Sequence, residues 1–318
     1  MNLFISCDWG SSNLRLRLTD AGRREAIGEV WGPDGVAEVF SRWQQSGLGP
    51  EERIGFYQAV LGKGIEQLRR QTSYVLTGLP VVLTGMASST LGMMELPYRR
   101  VPFELTGTEL VRVAIPPSEH FAHPTLLVSG VRTANDVMRG EETQLIGCAP
   151  GGYDERMYIL PGTHSKHVRV KIGRALDITT YMTGEFFQLL ATKSILAASV
   201  AAGVSDGGAV SPDFMQGVRD SRRAGILRNA FGVRTRQVLE GFGKEENYNY
   251  LSGLLIGEEL KGLEGTDIPL IVVAAGRMKE YYTAACEELG FPDVCVVDSD
   301  QAIVRGHCRL LELWAGGA

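Results

Sequence analysis

The feature that most constrains the fold is a strand, a turn of glycine and hydroxyl residues, and a second strand at the start of the chain. The segment CDWGSSNLRLRL, from Cys7 to Leu18, follows the apolar residues LFIS. In its second half leucines alternate with Arg15 and Arg17, which is the period-two pattern of a half-buried strand. We therefore predict a β-hairpin whose turn exposes N–H groups and hydroxyls and consists of Gly10, Ser11, Ser12 and Asn13.

A turn of this composition is suited to bind an anion, because backbone N–H groups and small hydroxyls can surround it. Asp8 stands at the end of the first strand, where its carboxylate would hold a metal ion or a water bound to that ion. An ordinary hairpin with polar turn residues explains the same stretch equally well. These residues alone leave both interpretations open.

The same layout returns near the middle of the chain. The segment RMYILPGTHSKHVRVKIG, from Arg156 to Gly173, is again a strand, a glycine-and-hydroxyl turn and a strand. Two such hairpins indicate a duplicated architecture. If they face each other across a cleft between domains, backbone amides and the hydroxyls of Ser11, Ser12 and Thr163 would clasp a polyphosphate from both sides.

Strand and helix patterns alternate along both halves, which is typical of the α/β class. Strands are predicted in REAIGEVWG, LPVVLTGM, TLLVSGV, IPLIVVAAG and DVCVVD. Helices are predicted from Glu52 to Arg70, in NDVMRGEETQLIGCA with Asn135 or Asp136 as its cap, and in TGEFFQLLATKSILAASVAAG, NYLSGLLIGEELKGL, MKEYYTAACEELG and QAIVRGHCRLLELW. The break at Pro150-Gly151-Gly152 predicts domains of residues 1–150 and 151–318, with the last helix able to pack back on the first domain.

Length, charge and cysteine usage exclude several classes of protein. A chain of 318 residues, 44% hydrophobic and 22% charged, is typical of a globular protein with two domains. The net charge of −5 provides no basic field to attract nucleic acid. Without a signal peptide or an apolar run that could cross a bilayer, we expect a cytoplasmic protein with no membrane partner. Five scattered cysteines argue against a disulfide framework and against a thiolate zinc site.

Three segments together resemble the superfamily of sugar kinases, hexokinase, Hsp70 and actin. They are DWGSSN, LPGTHSK and the late glycine-ended strand VVAAG, which ends at Gly276. The resemblance implies two actin-like, ribonuclease H-like α/β domains with ATP in the cleft between them and Mg²⁺ at Asp8 bridging the phosphates. It also implies that Gly276 contacts the adenosine and that the phosphates are bound by Gly10, Ser11, Ser12, Asn13, Gly162, Thr163 and Lys166.

Within that superfamily, four strings in order resemble the 2-dehydro-3-deoxygalactonokinase family. They are DVMRGEETQLIG, LPGTHSKHVRV, YMTGEFF and LSGLLIGEEL, and the resemblance spans nearly the whole chain. It implies an ATP-dependent kinase of galactonate catabolism that phosphorylates the 6-hydroxyl of 2-keto-3-deoxygalactonate. The chain departs from the family at His167, where the family usually has Trp, and in GMASSTLGMMELPY, which matches only in part.

The resemblance also implies roles for individual side chains. Glucokinase-like relatives place the general base in an Asn-Asp pair, which favours Asp136 here, with Glu141 or Glu142 as the alternative. Arg139 is expected to grip the sugar-acid carboxylate, because a guanidinium binds such a group bidentately. The remaining substrate contacts are expected from Gly85, Met86, Glu142 and His164.

Each of these residues also has a purely structural explanation. Asp136 can be a helix cap, and Glu141 and Glu142 can be favourable charges in the first turns of a helix. His164 and His167 stand three apart, a spacing that on a turn leading into a strand does not place both rings on one face. A set of small residues consists of Ser252, Gly253 and Gly257. Close packing of helices explains this set at least as well as contact with a ligand does.

Two other functions are compatible with the superfamily motifs. One is a sugar kinase of glucokinase type, and the other is an ATP-hydrolysing switch of the Hsp70 or actin kind. Nothing in the sequence resembles a peptide-binding appendage, which disfavours the switch. Self-association is left open, with a homodimer as one outcome.

Overall fold

The computed structural model describes residues 2–148, 154–203 and 209–316. The chain divides into two compact units. Unit 1 comprises Met1–Tyr153, Lys171–Ile178 and Ser299–Ala318, and unit 2 comprises Asp154–Val170 and Thr179–Asp298. The predicted boundary at Pro150-Gly151-Gly152 lies outside the described residues.

Unit 1 is built on a mixed six-stranded sheet. The strands of unit 1, six of which form this sheet, are β1 (Leu3–Trp9), β2 (Leu14–Asp20), β3 (Glu25–Gly32), β4 (Val81–Gly85), β5 (Arg99–Arg100), β6 (Phe103–Glu104), β7 (Arg112–Ile115), β8 (Thr125–Val128), β9 (Val131–Arg132) and β10 (Val137–Met138). The six-stranded sheet has the order β3-β2-β1-β4-β8-β7, and β10-β9-β5 form a small second sheet. Because β1 pairs antiparallel with β2 and parallel with β4, the first predicted hairpin is confirmed at the centre of this sheet.

The helices of unit 1 are α1 (Val36–Gln45), α2 (Arg53–Thr72), α3 (Glu141–Gly147) and, from the end of the chain, α9 (Ser299–Ala315). Leu61, Ile65 and Leu68 give α2 a buried stripe at three- and four-residue spacing, which packs with the buried leucines of β2. The helix α9 packs against α3, β1 and β4. Arg17 of β2 is also buried and pairs with Glu29 and Asp300, so both faces of this strand are covered rather than one.

Unit 2 repeats the central strand arrangement of unit 1. Its strands are β11 (Arg156–Leu160), β12 (Ser165–Lys171), β14 (Leu270–Val273) and β15 (Val294–Val297), and β13 (Arg174–Tyr181) divides between the units. The order is β15-β14-β11-β12, in which β11 pairs antiparallel with β12 and parallel with β14. This matches β8-β4-β1-β2, so the second hairpin and the repeated architecture are confirmed.

The helices of unit 2 are α4 (Thr183–Lys193), α5 (Pro212–Ser221), α6 (Ile226–Glu240), α7 (Lys244–Leu260) and α8 (Gly276–Leu289). Helices α5 and α7 approach each other so closely that a Cβ on Gly253 would lie 2.0 Å from the Phe214 carbonyl oxygen. A Cβ on Gly257 would lie 2.5 Å from Ser221 Oγ. These two glycines therefore serve helix packing.

Two predicted helices differ from the structure. The helix predicted from Thr183 to Gly203 ends at Lys193, because Ser194 is extended and caps a separate 3₁₀ turn, Ile195–Ala198. The helix predicted to begin at Asn135 or Asp136 begins at Glu141 instead. Helices α1, α5 and α6 were not predicted. In the described parts of the chain, every helix is too short or too polar to span a bilayer.

Candidate active site

The first turn is held by its own backbone and by the start of α1. The Gly10 amide donates to the Asn13 carbonyl (2.9 Å), and the carbonyls of Gly10 and Ser11 accept from the amides of Val36 (3.0 Å) and Ala37 (3.2 Å). The side chains of the turn stay exposed. The turn is thus held by backbone hydrogen bonds, and the side chains of Ser11 and Ser12 are exposed; their role in binding stays a prediction.

Asp8 lies one residue before the end of β1, close to this turn, and is partly buried. Among the described residues, none donates a hydrogen bond to it. Burial raises the pKa of Asp8. The positive charges of Arg17 and Arg15 oppose this rise, and the negative charge of Glu141 adds to it. A cation at this carboxylate would therefore be favourable, because it would replace the lost hydration of the charge.

Two glycines with positive φ leave space around Asp8. Gly85 ends β4 with φ +86°, and a Cβ there would lie 2.6 Å from the Trp9 carbonyl oxygen and 3.3 Å from Asp8 Oδ1. Gly140 precedes α3 with φ +115°, and a Cβ there would lie 3.9 Å from Asp8 Oδ1. Side chains at either position would be strained. Met86 follows Gly85 in a 3₁₀ turn, so the structure brings Asp8, Gly85, Met86 and Gly140 together.

Arg139 is anchored immediately before Gly140. Its Nη1 donates to both the carbonyl oxygen and Oγ of Ser88 (2.5 Å each), and its guanidinium carbon lies 4.1 Å from the centroid of the Tyr98 ring. Its Nε has no hydrogen-bond partner among the described residues. One side of the guanidinium thus fixes its position, and the edge formed by Nε and Nη2 is the part suited to a carboxylate.

The two glutamates at the start of α3 differ in environment. Glu141 Oε2 accepts from the Arg139 amide (2.8 Å), and Glu142 Oε2 accepts from the Gly140 amide (2.8 Å). Glu142 is fully buried, and burial, followed by the nearby Glu141, raises its pKa to about 8. Glu142 is therefore an inward-facing group that holds a proton at neutral pH, rather than a charge at the exposed start of a helix.

Asp136 lies in the turn between β9 and β10 and not at a helix start. Its amide donates to Thr133 Oγ1 (2.8 Å), and its Oδ1 accepts from the Val137 amide (2.7 Å). The predicted cap is wrong because Val137 pairs with Arg132 as a strand and the helix begins only after Gly140. Asp136 is partly exposed, and capping of a helix does not account for an aspartate at this position.

A buried histidine that the sequence did not single out connects the strands behind this site. His307 of α9 bonds through Nδ1 to Ser6 Oγ (2.6 Å) and through Nε2 to Thr84 Oγ1 (2.8 Å). Burial lowers the pKa of His307 to about 3, so the ring stays neutral and donates from one nitrogen while accepting at the other. It ties β1 to β4 at the residues that lead to Asp8 and Gly85.

In unit 2, the second turn packs against the start of α4. A Cβ on Gly184 would lie 2.6 Å from the Gly162 carbonyl oxygen, and the Glu185 amide donates to the Thr163 carbonyl (3.0 Å). His164 is exposed, and its Nε2 bonds to Glu185 Oε2 (2.6 Å). Lys166, in contrast, is buried, and its Nζ donates to Thr180 Oγ1 (2.9 Å). Its side chain is therefore not exposed as the residues of the turn are.

A cavity of about 290 Å³ extends from this second turn between the helices of unit 2. Its polar end is formed by Gly162, Thr163, Thr183 and Gly184, and its other walls are largely apolar and aromatic. Those walls include Phe187, Tyr248, Ser252, Leu255, Ile256, Met278, Tyr281 and Tyr282. Gly276 begins α8 two residues before Met278. Sequence reasoning missed the aromatic walls, because they come from three helices far apart along the chain.

The small residues of α7 serve both of the roles that were weighed. Gly253 and Gly257 pack against α5, whereas Ser252 lines the cavity.

The histidine pair does not form a metal site. His167 is buried and bonds through Nε2 to Glu259 Oε1 (2.9 Å), while His164 is exposed and bonded to Glu185. Within the described ranges, no three His, Cys, Asp or Glu side chains are grouped so as to hold a metal ion.

Comparison with known proteins identifies one family. The family model described as 2-keto-3-deoxy-galactonokinase matches residues 8–310. "Probable 2-dehydro-3-deoxygalactonokinase DgoK1" of Rhizobium meliloti is 31% identical over 313 residues, which are 95% of this chain and 94% of that protein. The 2-dehydro-3-deoxygalactonokinase of Escherichia coli K12 is also 31% identical over 313 residues, covering 95% of each.

Solved structures give the same fold. A crystal structure of a Sinorhizobium meliloti protein assigned as a 2-dehydro-3-deoxygalactonokinase has a TM-score of 0.77 and 28% identity, covering 98% of this chain and 99% of that one. The (R)-2-hydroxyglutaryl-CoA dehydratase component A of Acidaminococcus fermentans has a TM-score of 0.50 at 12% identity, with full coverage of both chains, and shares the fold alone. The predicted actin-like α/β fold is confirmed.

Proposed function

Because the chain belongs to the 2-keto-3-deoxy-galactonokinase family, a family of phosphotransferases, we propose that it transfers the terminal phosphoryl group of ATP to the 6-hydroxyl of 2-dehydro-3-deoxy-D-galactonate. The observation that carries this proposal is the match over residues 8–310, which includes Asp8, the residues around Arg139 and both turns. Galactonate catabolism is the corresponding metabolic role.

Arg139 is proposed to bind the carboxylate of the sugar acid. Support comes from its fixed Nη1 and from its Nε, which no described group satisfies, because a carboxylate on the Nε–Nη2 edge would make two parallel charge-assisted hydrogen bonds. Gly85, Met86 and Glu142 are proposed to complete this part of the substrate site. His164 is proposed as a further donor, with Glu185 orienting its ring.

Asp8 is proposed to hold Mg²⁺ directly or through a water. Its carboxylate fits, because no described donor competes for it and because Mg²⁺ in kinases is held by one or two carboxylates together with phosphates. When bound, Mg²⁺ would neutralise charge that develops on the transferred phosphoryl group. The amides and hydroxyls of the turns are proposed to bind the phosphates, namely those of Gly10, Ser11, Ser12, Asn13, Gly162 and Thr163, with Lys166 contributing positive charge.

The cavity of unit 2 is proposed as the adenosine site. Its aromatic walls can stack on a purine, and its polar end at Gly162 and Thr163 would face the phosphates. Gly276 is proposed to contact the adenosine from the start of α8, the helix whose Met278, Tyr281 and Tyr282 line the cavity.

Asp136 is proposed as the general base, with Glu141 as the alternative. A base must lie within hydrogen-bond reach of the proton that it takes from the acceptor hydroxyl. Asp136 is supported by its partial exposure and by the loss of the cap explanation. Glu141 is supported by its proximity to Asp8, whose pKa it raises.

A coupled assay of ADP release tests the proposed reaction. We expect turnover with 2-dehydro-3-deoxy-D-galactonate, and little with glucose, with glycerol or without an acceptor. Turnover of glucose but not of the sugar acid would contradict the substrate and indicate a glucokinase-like enzyme. ATP hydrolysis that needs no acceptor and is unaltered by sugar acids would indicate an ATP-driven switch.

A further inference from the structure

Glu259 of α7 is a buried carboxylate with an unusually complete set of donors. It is 2% exposed. Its Oε1 accepts from Ser165 Oγ (2.7 Å) and His167 Nε2 (2.9 Å), and its Oε2 accepts from Tyr282 OH (2.8 Å) and Thr183 Oγ1. A buried carboxylate is costly unless donors satisfy it, and here four side chains do so.

Two of these donors line the cavity of unit 2, and the other two lie on the strand that follows the second turn. Ser165 and His167 lie on β12, directly after the second turn, Thr183 begins α4, and Tyr282 lies on α8. Thr183 and Tyr282 themselves line the cavity. Glu259 lies behind that wall and is bonded to two of its side chains, so a single carboxylate joins β12, α4, α7 and α8.

We propose that Glu259 is a positioning residue for the nucleotide, which holds Thr183 and Tyr282 in place and so sets the affinity of the cavity for ATP. This inference rests on the proposed use of the cavity by ATP. A role confined to stability would lower the melting temperature without a preference for one substrate. A positioning role changes the affinity for ATP and leaves the affinity for the sugar acid nearly unchanged, because the proposed carboxylate contact, Arg139, lies in unit 1 and the proposed donor His164 is bonded to Glu185 and not to Glu259.

The test compares Glu259→Gln with Glu258→Gln. The first variant keeps the size of the side chain but replaces one acceptor oxygen by a donor, so the two groups that donate to that oxygen lose their acceptor. The control lies next to it on the same helix and pairs with Lys261 near the surface. For Glu259→Gln we expect the KM for ATP to rise about tenfold, with the KM for the sugar acid within about twofold and Glu258→Gln unchanged. An equal rise in both KM values, or an unchanged KM for ATP in a folded Glu259→Gln enzyme, would overturn the proposal.

A second variant covers the case in which Glu259→Gln does not fold. Tyr282→Phe removes one hydroxyl and keeps the ring in the core. We expect its KM for ATP to rise about threefold, and an unchanged KM would contradict the proposal. Calorimetric binding of ATP to each variant provides a readout that needs no sugar acid. If the wild-type enzyme binds ATP but does not phosphorylate the sugar acid, the proposed reaction fails while Glu259 is still tested. If it does not bind ATP, both proposals fail.

Discussion

The two hairpins occupy the same place in their sheets, but the carboxylates near their turns are in opposite situations. In unit 1, no described group donates to Asp8, and burial raises the pKa of both Asp8 and Glu142. In unit 2, Glu259 accepts hydrogen bonds from four side chains. The repeated hairpin therefore places a turn at the same position in both sheets. The surrounding donors decide whether a nearby carboxylate can accept a cation, as at Asp8, or holds neighbouring elements together, as at Glu259.

Replacing Asp8 tests the first half of this comparison and should give the largest effect. We expect Asp8→Asn to lower kcat by about a thousandfold with little change in melting temperature, because the amide removes the charge that would hold Mg²⁺. Steady-state kinetics across a range of Mg²⁺ concentrations measure it. Asp293→Asn, at an exposed position of unit 2, is the control and should behave as the wild type. Unchanged kcat at both limiting and saturating Mg²⁺ would remove Asp8 from the site.

The choice between Asp136 and Glu141 sharpens the comparison within unit 1. We expect Asp136→Asn to lower kcat by about a hundredfold, the usual order for loss of a general base, and to leave the melting temperature almost unchanged. The same measurements on Glu141→Gln provide the contrast. Normal turnover in Asp136→Asn together with a hundredfold loss in Glu141→Gln would transfer the role of base to Glu141.

Both turns were predictable from the sequence because their chemistry is local. Glycine and hydroxyl residues between two alternating strands identify a turn without reference to the rest of the chain. The donors around Glu259 were not predictable in this way, since Ser165, Thr183 and Tyr282 come together only in the folded unit. The cap predicted at Asp136 failed for a related reason, because the pairing of Val137 with Arg132 overrides the helical pattern that follows it.

The arginine of the proposed substrate site should show a smaller effect, and one restricted to a single substrate. For Arg139→Ala we expect the KM for the sugar acid to rise by about ten- to a hundredfold, the value of a charge-assisted pair, with the KM for ATP within about twofold. Arg53→Ala is a matched control, because Arg53 also lies over aromatic rings of unit 1. Equal changes in both KM values would indicate a phosphate-binding or structural role for Arg139.

The buried Glu142 gives the smallest effect, which appears in stability rather than in rate. Its pKa is raised from an ordinary 4.5 to about 8, so between those values the folded protein holds a proton that the unfolded chain has released. The resulting contribution to stability is complete below about pH 4.5 and is lost as the pH rises through about 8, by at most about 1.4 kcal/mol for each pH unit.

Glu142→Gln cannot ionise and keeps an oxygen that accepts from the Gly140 amide. The free energy of unfolding of this variant should therefore fall less between pH 5 and 8 than that of the wild type, as urea unfolding at several pH values would measure. Other titrating groups, including His307, are common to both proteins and cancel in the difference. Glu38→Gln, at an exposed position in the first turn of α1, should keep the slope of the wild type. If the curves of Glu142→Gln and the wild type run parallel, Glu142 does not hold a proton in the folded protein, and the contrast with the fully satisfied Glu259 would then rest on Asp8 alone.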